Sequence, residues 1–299
     1  MKRKIIILIF LLIGNIPTWG QNIEDSITFH ALPNWRIICD EPNFTIKQFR
    51  SKVKKGQTHL FGSPQSIYIM EFNPDFFQIE LIQTGKKQTV GDFIKPYDNV
   101  IGAINGGFFT KIPISKDSII ANDFLKINGE IHSPIPSPGW GTGAVGFDEN
   151  SRPIYTLWNK ELEKDTTGWS SAYPNVIAAG PMIILNGKNL IGWSDINKSE
   201  LTEEQKHDTY APRTAIGSKT NGNIILLVID GRRRNFYGFS FEEMAIIGRW
   251  LNLQNLLNLD GGGSSTIYYK QKKLNSPSDG CGIIHIERKV ANALLIIPK

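Results

Sequence analysis

A chain of 299 residues with 33 Lys and Arg against 28 Asp and Glu carries a formal net charge of +5. Three of those cations, Lys2, Arg3 and Lys4, lie in an N-terminal leader; without them the balance is +2, and no basic–aromatic interleaving argues for a nucleic-acid partner. Two cysteines, Cys39 and Cys281, with no CxxC, no HExxH and no cluster of His, argue against a zinc site.

Residues 1–20 read as a secretory signal. A basic start precedes an apolar core, Ile5 to Ile13, too short to span a bilayer. Thr18 and Gly20 supply the small residues of a cleavage site, so the mature chain is expected to start at Gln21 and to be secreted or periplasmic. An uncleaved N-terminal anchor is the other reading. No later stretch is long and apolar enough for a membrane helix, so no stable membrane insertion is expected after cleavage. An oxidising compartment permits a Cys39–Cys281 bridge, and two free thiols fit equally well.

Residues 21–97 carry no motif and are expected to pack on the same domain as the rest. Within them, Lys52 to Gln57 is a basic run suited to a solvated loop. Strands are expected over 67–72 and 77–82, and a short helix over 89–96, stopped by Pro96. Val100 to Ile104 is a strand pattern ending at Asn105-Gly106-Gly107-Phe108-Phe109, which suits a tight turn or a ligand loop. Three Asn-Gly pairs, 128–129, 186–187 and 221–222, each stand between apolar flanks and predict hairpins. Residues 134–143 have loop composition and contain Trp140. Trp158, Trp169 and Trp193 lie nearby; each packs into the protein or stacks on a sugar ring. Residues 195–210 are polar, with Thr202 and Gln205 as a capping pair, and read as a surface insertion.

The chain is organised around residues 224–266. The apolar run Ile224 to Ile229 stops at Asp230-Gly231-Arg232. A helical pattern runs from Ser240 to about Leu253, its Ser240 and Glu243 forming a capping box. A second apolar run, Leu256 to Leu259, stops at Asp260-Gly261-Gly262-Gly263-Ser264-Ser265-Thr266. Strand, helix, strand predicts a right-handed βαβ unit whose strand ends share one sheet edge. With the hairpins, this places the fold as α/β (mixed α+β), a mixed β-sheet with several hairpins and a βαβ unit. Asp230 and Asp260 would then face one crevice, with carboxylates about 5–9.5 Å apart. The glycine loop offers free N–H groups for an anion, or is a tight turn. No Lys follows its last Gly, so it is not a Walker loop.

Asn258 to Thr266 resembles the signature of the phosphodiester glycosidase family. Asn105 to Phe109, Ala179-Gly180-Pro181 with Asn186-Gly187, Arg213 to Gly217, Asp230-Gly231, Glu243-Met244-Ala245, Ser276 to Asp279 and Arg288-Lys289-Val290 agree in order. The likeness covers roughly residues 98–299, taken as the catalytic domain. It implies hydrolysis of a sugar-1-phosphodiester, N-acetylglucosamine being one candidate sugar, with release of the sugar. Asp260, Asp230 and Glu243 are the implied catalytic carboxylates. Arg213, Arg232, Asn105, Gly106, Gly107, Gly261, Gly262, Gly263, Ser264 and Ser265 are the implied phosphate- and substrate-binding set. The expected partner is a sugar-phosphodiester or glycan, with no nucleic acid. No cofactor is expected to be required, and a divalent metal stays open. The rival readings are a metal-dependent phosphodiesterase and a non-catalytic exopolysaccharide-binding protein.

Overall fold

Described here by a computed structural model over residues 23–51, 59–111, 119–133, 141–159, 161–162, 168–192, 209–234, 236–279 and 285–299, the strand Ile224–Ile229 is buried at every position. Ile224, Leu226 and Val228 enter one hydrophobic cluster, and Ile225, Leu227 and Ile229 enter another. A strand covered on both faces has no place for a polar side chain, which is why its sequence is an unbroken apolar run. Truncating Leu226 or Leu227 to Ala would cost about 2–5 kcal/mol.

That strand lies inside an eight-stranded sheet. The order is Trp35–Glu41, Phe44–Arg50, Ser66–Phe72, Ile224–Ile229, Arg213–Lys219, Leu253–Asn258, Met182–Leu185 and Lys188–Asn189. Its neighbouring strands pair antiparallel. Arg213–Lys219 is antiparallel to both Ile224–Ile229 and Leu253–Asn258, so those two are parallel to each other, one strand apart. The expected βαβ unit is therefore present with an antiparallel strand between its arms. The molecule is richer in strand than helix, within a mixed α+β fold.

The helix of that unit, Phe241–Trp250, starts at Ser240, whose hydroxyl accepts from the Glu243 N–H while the Glu243 carboxylate accepts from the Ser240 N–H. It buries Met244, Ala245 and Ile247 against the second cluster. It ends earlier than the apolar pattern implies. Asn252 turns the chain in the left-handed region (φ 57°), and the next strand already starts at Leu253.

Two five-stranded sheets cover the opposite face. One has the order Pro153–Leu157, Gly143–Phe147, Asn175–Ala179, Leu125–Ile127, Glu130–Ile131; the other Lys272–Lys273, Ile267–Tyr269, Gly102–Asn105, Val290–Pro298, Phe77–Gln88. Their inner residues, among them Val145, Ile177, Ile104 and Leu294, share one core with Leu226 and Val228. Asn128-Gly129 and Asn186-Gly187 form hairpin turns with both residues at positive φ. At Asn221-Gly222 only Gly222 is left-handed, giving the longer turn that closes on Lys219. The short helix Val90–Ile94 is capped by Thr89.

The ends of Ile224–Ile229 and Leu253–Asn258 and the start of Arg213–Lys219 share one sheet edge, since Arg213 stands opposite Ile229. Cys39 is buried, its sulfur accepting from the Tyr269 hydroxyl at 3.3 Å. Among the described residues no helix is long and apolar enough to cross a membrane. The leader 1–20, the run 52–57, Trp140, Trp193, Thr202, Gln205 and Cys281 lie outside the described residues.

Candidate active site

Asp260 is the second residue past its strand, and the backbone on both sides of it is clamped. Its N–H donates to the Gly106 carbonyl at 3.1 Å, and its own carbonyl accepts from Asn105 Nδ2 at 2.7 Å. Asn105 Oδ1 accepts from Thr214 Oγ1 at 2.8 Å and from the Thr266 N–H at 3.1 Å. Asn105 is fully buried, and it spends its amide joining the Gly102–Asn105 strand to both ends of the glycine loop. Its polar atoms are bonded within the protein, which makes it a clamp on the loop. Gly106 and Gly107 pack beneath Asn292, which accepts from the Gly107 N–H at 2.8 Å. Neither glycine lines a cavity at Asp260.

The loop glycines make room for the protein's own groups. A Cβ at Gly261 would stand 2.8 Å from the Pro212 carbonyl oxygen. One at Gly262, whose φ is +60°, would stand 2.7 Å from Arg232 Nη1; one at Gly263 would meet Asp279 and stand 2.7 Å from Arg288 Nη2. Two arginines are thus laid directly over the loop backbone. Neither a plain turn nor an open nest of N–H groups describes it.

Asp260 lies where two cavities meet. The smaller, about 270 Å³, is lined by Arg213, Arg232, Arg288, Asn258, Phe241 and the Gly261–Gly262 backbone. The larger, about 720 Å³, is lined by Phe108, Phe109, Thr110, Asn122, Asp279 and Glu287, among others. Phe108, Asp260 and Arg288 belong to both. Burial pushes the Asp260 carboxyl up to about 6, against the hydrogen bond from Ser264 and the fields of Arg288 and Arg232.

Arg213 is held rigidly. Its Nε donates to the Phe239 carbonyl at 2.8 Å, its Nη2 to the Thr209 carbonyl at 3.1 Å, and its guanidinium lies 4.0 Å from the Phe241 ring centre. Burial lowers its pKa to about 10; Arg232 adds repulsion, and Glu243 and Glu242 oppose it. Two arginines in one small cavity repel, so an anion between them is favoured. Arg288 Nε is paired with Asp279 at 2.6 Å, and its Nη1 reaches Ser264 Oγ at 3.5 Å.

Asp230 reaches the same sheet edge and lines neither cavity. Its carboxylate accepts from Arg233 at 3.1 Å, Asn275 at 3.2 Å and the Ser276 N–H at 3.1 Å. Burial raises its pKa despite Arg233. Asn275 also donates to the Ser265 carbonyl at 2.8 Å, so Asp230 braces the segment that follows the glycine loop. Glu243 stays in its capping box and acts on the site through its field on Arg213. Ser264 touches Asp260, whereas Ser265 is buried with its hydroxyl unpartnered among the described residues.

Arg288, Phe108, Phe109, Asn122 and Thr110 reach the cavities and have no assigned role in the sequence reading. Arg288 stands in the sequence only as part of the Arg288-Lys289-Val290 block of the resemblance and as a cation two residues before the buried strand Val290–Pro298, neither of which gives it a role. Trp158 is buried beside Phe124 and Trp169, and the aromatic lining of the larger cavity is phenylalanine instead. Among the described residues no three His, Cys, Asp or Glu side chains gather in a metal-binding group.

Residues 98–297 match the sequence model of a family described as phosphodiester glycosidase. The chain is 30% identical over 176 residues to a prophage-derived uncharacterized protein, YomE, of Bacillus subtilis, covering 56% of this chain and 24% of that protein. It is 33% identical over 201 residues to the N-acetylglucosamine-1-phosphodiester alpha-N-acetylglucosaminidase of Mus musculus, covering 66% of this chain and 37% of that one. The chain thus spans only about a quarter to just over a third of these curated relatives. The fold is shared with the zebrafish N-acetylglucosamine-1-phosphodiester alpha-N-acetylglucosaminidase catalytic domain auto-inhibited by its pro-peptide: TM-score 0.65 at 19% identity, over 89% of this chain and 88% of that one.

Proposed function

The chain belongs to the phosphodiester glycosidase family, and we propose that it is a hydrolase that cleaves the bond between a sugar's anomeric carbon and a phosphodiester, releasing the free sugar. The observation that carries this reading is the cradle of Arg213, Arg232 and Arg288 around Asp260. A planar guanidinium matches phosphate oxygens in pairs, and three of them neutralise a phosphate whose charge grows as it leaves.

In this reading the phosphate sits in the arginine cavity and the sugar in the larger one, against Phe108 and Phe109. The C1–O bond breaks with its electron pair going to the phosphate, which stays on the other partner. Water adds to C1, and its proton passes to Asp260. A carboxyl near 6 is well matched to that role, being mostly ionised at neutral pH yet basic enough to accept. The leaving phosphate needs no general acid, so one carboxylate at the reacting centre suffices. Asp230 is assigned a positioning role, since its lone pairs are committed to Arg233, Asn275 and Ser276. Glu243 is assigned to holding Phe241 and Arg213 in place. Residues 1–20 serve as an export signal in this reading, and mass spectrometry of the mature protein should find Gln21 at or near its start.

The test is a panel of sugar-1-(methyl phosphate) diesters incubated in ¹⁸O-water. Free sugar labelled at C1 with unlabelled methyl phosphate is expected, undiminished by chelator. Sugar-1-phosphate with label on phosphorus, lost on adding chelator, would instead identify a metal-dependent phosphodiesterase. Tight binding of a glycan without any product would identify a binding protein.

A further inference from the structure

Asn258 closes its strand two residues before Asp260 and lines the arginine cavity, yet it is 2% exposed. Its side-chain Nδ2 donates to the Gly180 carbonyl at 2.7 Å and to the Leu259 carbonyl at 2.8 Å. Its backbone N–H donates to the Pro181 carbonyl at 3.1 Å. Both amide hydrogens are therefore committed, and those two carbonyls settle which end of the amide is which: a flipped amide would set oxygen against oxygen twice. The end left over is Oδ1, a buried acceptor with no partner among the described residues. A buried acceptor left unpaired forfeits its hydration with nothing in return, so its position calls for a donor.

A phosphodiester cannot be that donor, because all its polar atoms accept. The sugar beside it can. The carbon next to the anomeric centre, C2, carries a hydroxyl or an acetamido N–H. With C1 at Asp260, where the two cavities meet, the C2 substituent stands beside the C1–O bond that enters the arginine cavity, the one that Asn258 lines. We propose that Asn258 is a specificity-determining residue that accepts a hydrogen bond from the C2 substituent of the sugar, so that the site selects sugars bearing an N–H or O–H donor at C2. This rests on the sugar-1-phosphodiester reading above. Fixed buried acceptors discriminate strongly, because an analogue lacking the donor leaves them unpaired. A hydrogen bond at this position also strengthens as charge develops on the ring.

The experiment uses the full chain and non-hydrolysable sugar-1-phosphonates carrying acetamido, hydroxyl, fluoro or hydrogen at C2. Fluorine accepts but cannot donate. The acetamido or hydroxyl compound is expected to bind at least about tenfold tighter than both the fluoro and the deoxy compound. Equal binding of all four would overturn the assignment. The second arm compares kcat/KM for a donor-bearing diester and its 2-deoxy analogue in wild type and in Asn258→Leu. The intrinsic reactivities of the two substrates cancel between enzymes, and the preference should narrow at least about tenfold in the variant. Should Asn258→Leu not fold, the phosphonate series in wild type decides alone. A preference unchanged in a folded variant would overturn the proposal and mean that Oδ1 needs only a solvent donor. Discrimination in binding with no turnover of any diester would leave this assignment standing while the hydrolase reading falls.

Discussion

Arg232 occupies the space a side chain at Gly262 would need, its Nη1 2.7 Å from where a Cβ would stand, and both residues adopt left-handed conformations, with φ of 51° and 60°. They stand on loops that leave two parallel strands of one sheet, so the contact joins the two arms of the crossover at the edge where Asp260 sits. A non-glycine residue in that region is strained by about 1 kcal/mol or more, the kind of cost found where geometry serves a site. Gly262→Ala should displace Arg232 and raise KM for a phosphodiester at least about tenfold. Gly129→Ala provides the control: φ there is +85° and no atom lies within 4 Å of the new methyl. Both variants carry similar backbone strain and should lose comparable Tm, while only Gly262→Ala should lose affinity. Equal KM in the two would detach Arg232 from the phosphate.

Asp260→Asn should lower kcat by orders of magnitude and, at neutral pH, stabilise the fold. The sign follows from the pKa. Asp260 is raised from 3.8 to about 6 on folding, so the folded state holds the proton more tightly, and stability falls as pH rises across that window. Above it wild type bears a penalty of roughly 2–3 kcal/mol that the amide does not. Chemical denaturation at pH 7.5 should show the variant more stable, and at pH 3.5 the gap should close. In the same scheme wild-type kcat/KM should fall as pH drops through about 6, because the ionised form is the working one.

For Asp230→Asn the expectation is different in kind. The carboxylate accepts from Asn275, the Ser276 N–H and the charged Arg233, and the Ser66 hydroxyl adds a further hydrogen bond. An amide offers one oxygen and turns its own N–H groups toward the remaining donors. The lost acceptor costs about 1–3 kcal/mol, set against relief from the buried charge that raises its pKa, and the loop after Gly263 should loosen through Asn275. Hydrogen exchange should rise in residues 264–276. Any fall in activity should be recovered in part by a stabilising additive, which cannot rescue Asp260→Asn. Full activity loss in a variant of wild-type stability would return Asp230 to the chemistry.

Arg213→Lys and Arg213→Ala should separate positioning from charge. Lysine keeps a cation but cannot reproduce the two carbonyl bonds and the contact with Phe241. KM for a phosphodiester is expected to rise in both, further in Arg213→Ala, with the Lys variant between it and wild type. Identical kinetics in all three would remove Arg213 from the site.

Much of the scaffold was legible in the amino-acid order because it rests on short-range rules. The run from Ile224 to Ile229, the Ser240–Glu243 cap, the Asn-Gly turns and the short helix before Pro96 each express a constraint within a few residues. Asp260 was legible too, as the polar stop to an apolar strand followed by three glycines. Side-chain destinations were not. Asp230 and Asp260 read alike in sequence, each an acid one step beyond a buried strand. Tertiary structure separates them, because Asn275, Ser276 and Arg233 converge on the first, while Arg232 and Arg288 leave the second facing open volume. The purpose of each glycine was hidden for the same reason, since what a missing Cβ makes room for lies 30 or more positions away in Arg232, or just beyond the following hairpin in Arg288. A local pattern can specify how the backbone turns; which charges meet over that turn is decided by long-range packing of strands from three sheets.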